Sequence, residues 1–279
     1  MVRFSRTFAV TAAIAMTATP ALAQSARAGR TKSGIAYDIQ GDGPIVVLIT
    51  GSNLDRRMWT YEAEWLKKTA HTVVRYDLRA HGTSDTATKP FSHVDDLFSV
   101  LDDIGADTAT LIGLSAGSTI ALDAALQAAT RVDRLVLVGP SISGYISKAP
   151  AAFTADLVAA LRKDDYTRAS EVLLRSSVFA LAGESENLVR QMVMENNRLW
   201  SVPRELMRQN DRPALTRLSD VAIPTLILLG EHDLLQRQEA ELLAQGVRRA
   251  RLVIIRGGGH LLNLTSPAEF RAEVSRFIE

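Results

Sequence analysis

Hydrophobic residues along this chain fall into short, nearly continuous runs rather than alternating ones. Ile45 to Thr50, Thr72 to Tyr76, Ala109 to Leu114, Arg134 to Val138, Thr225 to Leu229 and Arg251 to Ile255 are all rich in Val, Ile and Leu. Strands buried on both faces have this character, because a half-solvated strand would alternate apolar with polar positions. Between the runs lie segments of helical spacing, such as Val94, Leu97, Phe98, Leu101 and Ile104 ahead of Gly105, and Ala268 to Ile278 near the end. Strand and helix in alternation predict an α/β fold, a mainly parallel sheet flanked by helices. Upstream of the first run, Gly34 to Gln40 reads as an edge strand turning at Gly41-Asp42-Gly43-Pro44, and Gln24 to Lys32 as a flexible lead-in.

The alternation breaks once. From Gly144 to Arg212 no strand-like run occurs, whereas Pro150 to Arg162, Tyr166 to Ser176 and Asn187 to Trp200 carry apolar residues at helical spacing. This stretch is far longer than an ordinary connection, so residues 144–212 are expected to form a helical insertion between two parts of one core, 24–143 and 213–279. Insertions after strand ends in such sheets overhang the ligand crevice, which makes the segment a candidate lid; a structural excursion is the alternative. Phe153, Leu157, Leu161, Phe179, Leu188 and Met192 have the spacing to turn apolar side chains toward that crevice.

Composition then narrows the picture. The chain has 279 residues, no cysteine, and 32 basic against 31 acidic residues, which suits one globular unit and gives no reason to expect nucleic acid. Arg3 and Arg6, the apolar stretch Phe8 to Ala18 and the small residues Pro20-Ala21-Leu22-Ala23 have the form of a secretory signal, residues 1–23, cleaved after Ala23. The apolar run is too short for a bilayer span, so an N-terminal anchor is the weaker reading. Loss of the segment removes two arginines and no acid, taking the net charge from +1 to −1. The expectation is an exported, periplasmic or secreted protein stabilised by its core and not by disulfides.

The candidate chemistry begins at Gly113-Leu114-Ser115-Ala116-Gly117, a G-x-S-x-G between a strand-like run and an Ala-rich segment without Gly or Pro from Ser118 to Ala129. A sharp strand-to-helix turn exposes the serine hydroxyl, and small flanking residues let strand and helix approach closely. Serine is a poor nucleophile unless a base activates it. His260 follows Arg256-Gly257-Gly258-Gly259 beyond the last run, and Asp233 lies in Gly230-Glu231-His232-Asp233 beyond the run before; both belong to the rim that carries Ser115. The order Ser, Asp, His suits nucleophile, orienting acid and base. A solvated loop histidine and a helix-capping aspartate are the bland alternatives, outweighed by the joint occurrence of all three. The N–H of Ala116 is expected to stabilise an oxyanion, together with a donor from Thr50-Gly51-Ser52-Asn53, Ser52 in first place and Asn53 in second.

Other polar residues carry less. His232 is expected to point away from the site, and Asp77 and His81 lack further ligands at metal-binding spacing, so no metal or cofactor is expected. Arg248, Arg249 and Arg251 read as a solvated edge, and Met192 and Met194 as packing in the insertion, although one could line an acyl pocket.

With these residues in view, the chain resembles the α/β-hydrolase superfamily over essentially its whole length after the signal segment. Arg75-Tyr76-Asp77-Leu78-Arg79-Ala80-His81-Gly82-Thr83-Ser84 resembles that family's D-x-R-G-H-G-x-S segment, and Ile223-Pro224-Thr225-Leu226 with Gly230-Glu231-His232-Asp233 resembles its acid-bearing strand. Two positions depart from the pattern: Thr50 stands where the family usually has His, and Ala80 where it has Gly. The resemblance is strongest to small-substrate serine hydrolases with a helical cap, such as enol-lactonases and carboxylesterases, and implies hydrolysis of a small ester or lactone. It also admits carbon–carbon bond hydrolysis or cofactor-free perhydrolysis on the same triad. Relatives that remove halide or open epoxides use an aspartate nucleophile, so Ser115 argues for acyl chemistry. A binding protein on a retained hydrolase scaffold is the non-enzymatic alternative.

Overall fold

The computed structural model describes residues 26–147, 151–181, 184–208 and 210–279. The expected signal segment, residues 1–23, and Pro150, the expected start of the first inserted helix, lie outside the described residues. Eight strands form the sheet: β1 (Arg27–Arg30), β2 (Ala36–Gln40), β3 (Ile45–Ile49), β4 (Thr72–Tyr76), β5 (Ala109–Leu114), β6 (Val132–Val138), β7 (Thr225–Gly230) and β8 (Ala250–Ile255). Their spatial order is β1-β2-β4-β3-β5-β6-β7-β8, with antiparallel pairing at β1/β2 and β2/β4 and parallel pairing from β4 to β8.

All six continuous apolar runs are strands of the parallel part, and β5 and β7 are buried at every position. Adjacent residues of one strand feed opposite faces: Val47 and Ile49 pack into one apolar cluster, Val46 and Leu48 into the other. The first cluster is closed by α2 (His93–Asp103) and α3 (Ala116–Gln127), together with α7 (Arg237–Gly246). The second is closed by α1 (Thr60–Lys68) and α9 (Pro267–Ile278), with Trp59 and Phe270 fully enclosed. The lone turn α8 (Leu262–Thr265) precedes α9. Helix starts follow local chemistry. Ser92 Oγ accepts from the N–H groups of Val94 and Asp95 at the head of α2, and Gly105, with φ +72°, turns the chain out of its end.

The sheet edge differs from the expectation. Residues 27–30 are not a flexible lead-in but strand β1, so β2 is not the edge. Arg27-Ala28-Gly29-Arg30 carries no hydrophobic pattern, and only its backbone ladder to residues 36–39 makes it a strand. Arg30 adds anchors, donating to the carbonyls of Gly34 and Thr83 and to Asp85.

Between β6 and β7 the described chain is helical, as its spacing predicted: α4 (Thr154–Leu161), α5 (Tyr166–Leu174), α6 (Glu184–Glu195) and 3-10 turns at Ser177–Phe179 and Asn196–Ser201. Its second half is fastened to the core by polar contacts. Asn196, 1% exposed, accepts from the Gly82 N–H at 2.6 Å and donates to Asp55 at 2.9 Å. Arg57 bridges Asp55 and Glu195, and Arg198 donates to the carbonyls of His81, Gly82 and Ser84. Removing a buried partner leaves the surviving groups without water or protein, whereas an exposed ion pair returns its charges to solvent. Asn196→Ala is therefore expected to lower unfolding free energy by about 2 kcal/mol. Arg190→Ala, at an exposed pair with Glu186, should change it by less than about 0.5 kcal/mol. Denaturant midpoints of the two variants check this.

Candidate functional site

At the carboxyl end of β5 the chain reverses through Ser115, which holds φ +53° and ψ −118°, a conformation L-residues avoid. The turn is possible because its flanks carry no side chains: a Cβ on Gly113 would overlap the Gly117 carbonyl, and one on Gly117 would overlap the carbonyl of Ile49 at the end of β3. The glycines thus bring strand, helix and the neighbouring loop into backbone contact. Ala116 opens α3, so its N–H has no acceptor within the helix. Ser118 ties the elbow down, its hydroxyl donating to the Ser115 carbonyl and accepting from the Ser141 N–H.

Asp233, 4% exposed, and His260, 4% exposed, meet at 2.7 Å through Oδ2 and Nδ1. They come from the loops after β7 and β8, and His260 lies with Ser115 on the wall of one cavity of about 110 Å³. Among the described residues no hydrogen bond joins the Ser115 hydroxyl to His260; such contacts commonly tighten when substrate is bound. Ser52 and Asn53 line the same cavity, and Ser52 is exposed. The Asn53 N–H is directed to His81 Nε2 at 3.2 Å, whereas the Ser52 N–H has no acceptor among the described residues. His81 donates through Nδ1 to the Arg79 carbonyl at 2.9 Å, and burial pushes its pKa down to about 4, so it acts as a neutral acceptor for the loop.

His232 is exposed, as expected. Asp77 pairs with Arg56 and accepts from the Arg56 and Thr83 N–H groups, a structural role. Ala80, where the resemblance has Gly, holds φ +62°, a left-handed conformation that costs a side-chain-bearing residue about 1 kcal/mol. Thr50, where the resemblance has His, is fully buried with its hydroxyl unpartnered among the described residues. Of the apolar residues of the insertion expected to face the crevice, Phe179 does so, accompanied by Leu173 and Val178. Leu161 lines a different cavity, Met192 is fully buried, and Phe153, Leu157 and Leu188 pack against the second core cluster. Helical spacing identifies an apolar face and not which cavity that face meets.

Two contributors escaped the sequence reading. Gly139, after β6 with φ +47°, lies so near Asp233 and His260 that a Cβ would stand 2.8 Å from His260 Nδ1 and 3.0 Å from Asp233 Oδ2. Glu239 on α7, 8% exposed, accepts from the Ile142 N–H at 2.6 Å. Burial pushes its pKa up to about 7, opposed by the Ile142 bond and reinforced by the charge of Asp233. Val138-Gly139-Pro140 could have signalled a special turn; nothing near Glu239 in the sequence marks it.

Residues 46–273 match the Alpha/beta hydrolase family, and the chain belongs to it. Curated relatives include 3-oxoadipate enol-lactonase 1 of Acinetobacter baylyi, 24% identical with 91% of this chain and 95% of that protein covered. A carboxylesterase of Bacillus subtilis is 27% identical over 64% of this chain and 60% of its own length. Among solved structures, a hydrolase from Pseudomonas aeruginosa superposes with a TM-score of 0.74 at 25% identity, covering 92% of this chain and 99% of the other.

The raised pKa of Glu239 has a definite sign. The folded state holds a proton that the unfolded state releases near pH 4.5, so from there upward each rise in pH through about 7 removes stability. Glu239→Gln keeps an acceptor for Ile142 and carries no charge. It is expected to raise the melting temperature by a few degrees at pH 8 and to leave it unchanged at pH 4. Calorimetric melts at the two pH values check this.

Proposed function

We propose that the protein is a serine hydrolase that cleaves small carboxylic esters or lactones through an acyl-enzyme on Ser115, His260 and Asp233. The observation that carries this reading is the buried 2.7 Å contact of His260 with Asp233 beside a cavity shared with Ser115. With Nδ1–H donated to Asp233, His260 keeps its Nε2 lone pair for the serine proton. Ser115 Oγ bonds to the carbonyl carbon as that proton passes to His260, and the carbonyl electrons form an oxyanion. Collapse of the oxyanion breaks the bond to the leaving oxygen, which takes the proton from His260. Water then releases the acid by the same steps in reverse roles. The oxyanion donors in this reading are the N–H groups of Ala116 and Ser52, because the Asn53 N–H already serves His81.

The volume of the cavity bears on substrate size. Sites for drug-sized ligands run to ~300–1,000 Å³, and 110 Å³ suits only a short acyl group between Leu54, Leu114, Leu173 and Phe179. The helical insertion acts here as the lid. Short esters and small lactones are the substrate class, with activity falling for long acyl chains. An enol-lactonase and a carboxylesterase among the relatives accord with this class. Carbon–carbon bond hydrolysis or perhydrolysis would use the same three residues.

Ser115→Ala and His260→Ala are each expected to abolish nearly all turnover of p-nitrophenyl acetate, the double variant being scarcely worse than either, since residues acting as one unit are non-additive. Fluorophosphonate labelling should be confined to Ser115. Multiplicative losses, or a β-diketone cleaved better than any ester, would replace this reading.

The N-terminal pattern supports export with cleavage after Ala23, and among the described residues no helix is long and apolar enough to cross a membrane. Intact-mass measurement of the exported protein is expected to find a chain that starts at Gln24; a full-length membrane-bound species would contradict it.

A further inference from the structure

A second cavity, of about 510 Å³, lies between the insertion and the loop after β4 and shares no lining residue with the space around Ser115. Its size falls in the range of sites for small organic ligands. Phe91, Leu161, Leu199, Trp200 and Met207 give it apolar and aromatic walls. Its ionisable lining groups are all bases, Arg79, His81, His93 and Arg204, with no carboxylate among them.

Three of the four bases are already neutral or neutralised. Arg79 grips Asp96 through two hydrogen bonds, at 2.9 and 2.5 Å, and lies over the Phe91 ring at 5.3 Å. The His81 ring is fixed between the Arg79 carbonyl and the Asn53 N–H. His93 meets Phe91 edge-on at 5.1 Å, its Nδ1 is shielded from solvent without a partner among the described residues, and burial pushes its pKa down to about 4. Arg204, in the short turn Arg204–Leu206, is exposed at the rim and makes no ion pair among the described residues. Nearby Arg208 is by contrast paired with Asp95. Aromatic walls with one uncompensated guanidinium select a flat apolar body carrying a single negative group, and the planar fork of arginine matches a carboxylate.

We propose that this cavity binds a small aryl or apolar carboxylate, with the ring against Phe91, Trp200 and Met207 and the carboxylate on Arg204. Such an acid has two sources: the product of the protein's own ester hydrolysis, or an unrelated metabolite. Occupancy is communicated to the site because the His81 ring that walls this cavity also holds the Asn53 N–H. Asn53 sits at φ +62° beside Ser52 in the other cavity. The effect on turnover rests on the serine-hydrolase reading; binding does not.

Tryptophan fluorescence of the exported chain, titrated with phenylacetate and with uncharged 2-phenylethanol, tests it. Phenylacetate is expected to give a saturable change that Trp200→Phe removes and Ser115→Ala retains. Arg204→Gln should weaken phenylacetate roughly two- to fivefold and leave 2-phenylethanol unchanged, with an unaltered melting temperature because Arg204 is exposed. In turnover of p-nitrophenyl acetate, phenylacetate should lower kcat without competing for the substrate. With ethyl phenylacetate as substrate, progress curves that slow as acid accumulates, in the native protein and not in Arg204→Gln, assign the ligand to the product. If that ester is not cleaved while added phenylacetate still lowers kcat, the ligand is an independent acid. No saturable binding, an unchanged affinity in Arg204→Gln, or simple competition with p-nitrophenyl acetate would overturn the proposal. Turnover retained in Ser115→Ala, with phenylacetate binding intact, would overturn only the serine-hydrolase reading.

Discussion

The contact on which the site depends is the backbone approach between the end of β3 and the start of α3. Gly117 stands against the Ile49 carbonyl and Gly113 against Gly117, and in that space the chain can reverse only by lifting Ser115 into a positive-φ conformation. A strained residue persists when its surroundings over-determine it. Here β5, flanked by β3 and β6 and buried at all six positions, supplies one rigid side, and α3, packed against the same sheet, supplies the other. The strain is held by the core, and the serine is presented at the rim as a result.

The same rim assembles charge with little water to screen it. Asp233 and His260 are buried against Gly139, and the carboxyl of Glu239 lies near enough for the charge of Asp233 to raise its pKa. Two carboxylates in a low-dielectric pocket resist ionising together. The one bonded to His260 has a partner for its charge; Glu239 has the Ile142 N–H. Burial, with the charge of Asp233 nearby, is what pushes the Glu239 pKa up to about 7.

The insertion belongs to this arrangement through polar fastenings as much as through apolar burial. Asn196, Arg57 and Arg198 join it to the loops that follow β3 and β4, the loops that also carry Ser52, Asn53 and His81. Movement of the inserted helices and the geometry of the loop that carries Ser52 and Asn53 are therefore not independent. The walls that Leu173, Val178 and Phe179 contribute come from α5 and the turn behind it, at the other end of the segment.

Much of this was written locally in the sequence. The continuous apolar runs specified the strands of a parallel sheet, buried on both faces in its interior; the last run, expected to be buried likewise, is instead the edge strand β8, with Arg251 and Ile254 exposed because no strand follows it. G-x-S-x-G between strand and helix specified the elbow, since only small flanks permit it. Ser115, Asp233 and His260 could be placed on one rim because each follows a run whose carboxyl end lies there. What local pattern could not carry was decided by contacts between residues far apart in the chain. Arg27–Arg30 became a strand only because β2 offered a backbone edge. Helical spacing told that the insertion had an apolar face, but the docking of α5 and the turn behind it placed Leu173 and Phe179, and not Phe153 or Leu188, on the cavity that Ser115 lines. Glu239, Gly139 and the His81 bond to Asn53 likewise left no periodic trace, because a close approach across the sheet constrains distance in space while a sequence pattern records only distance along the chain.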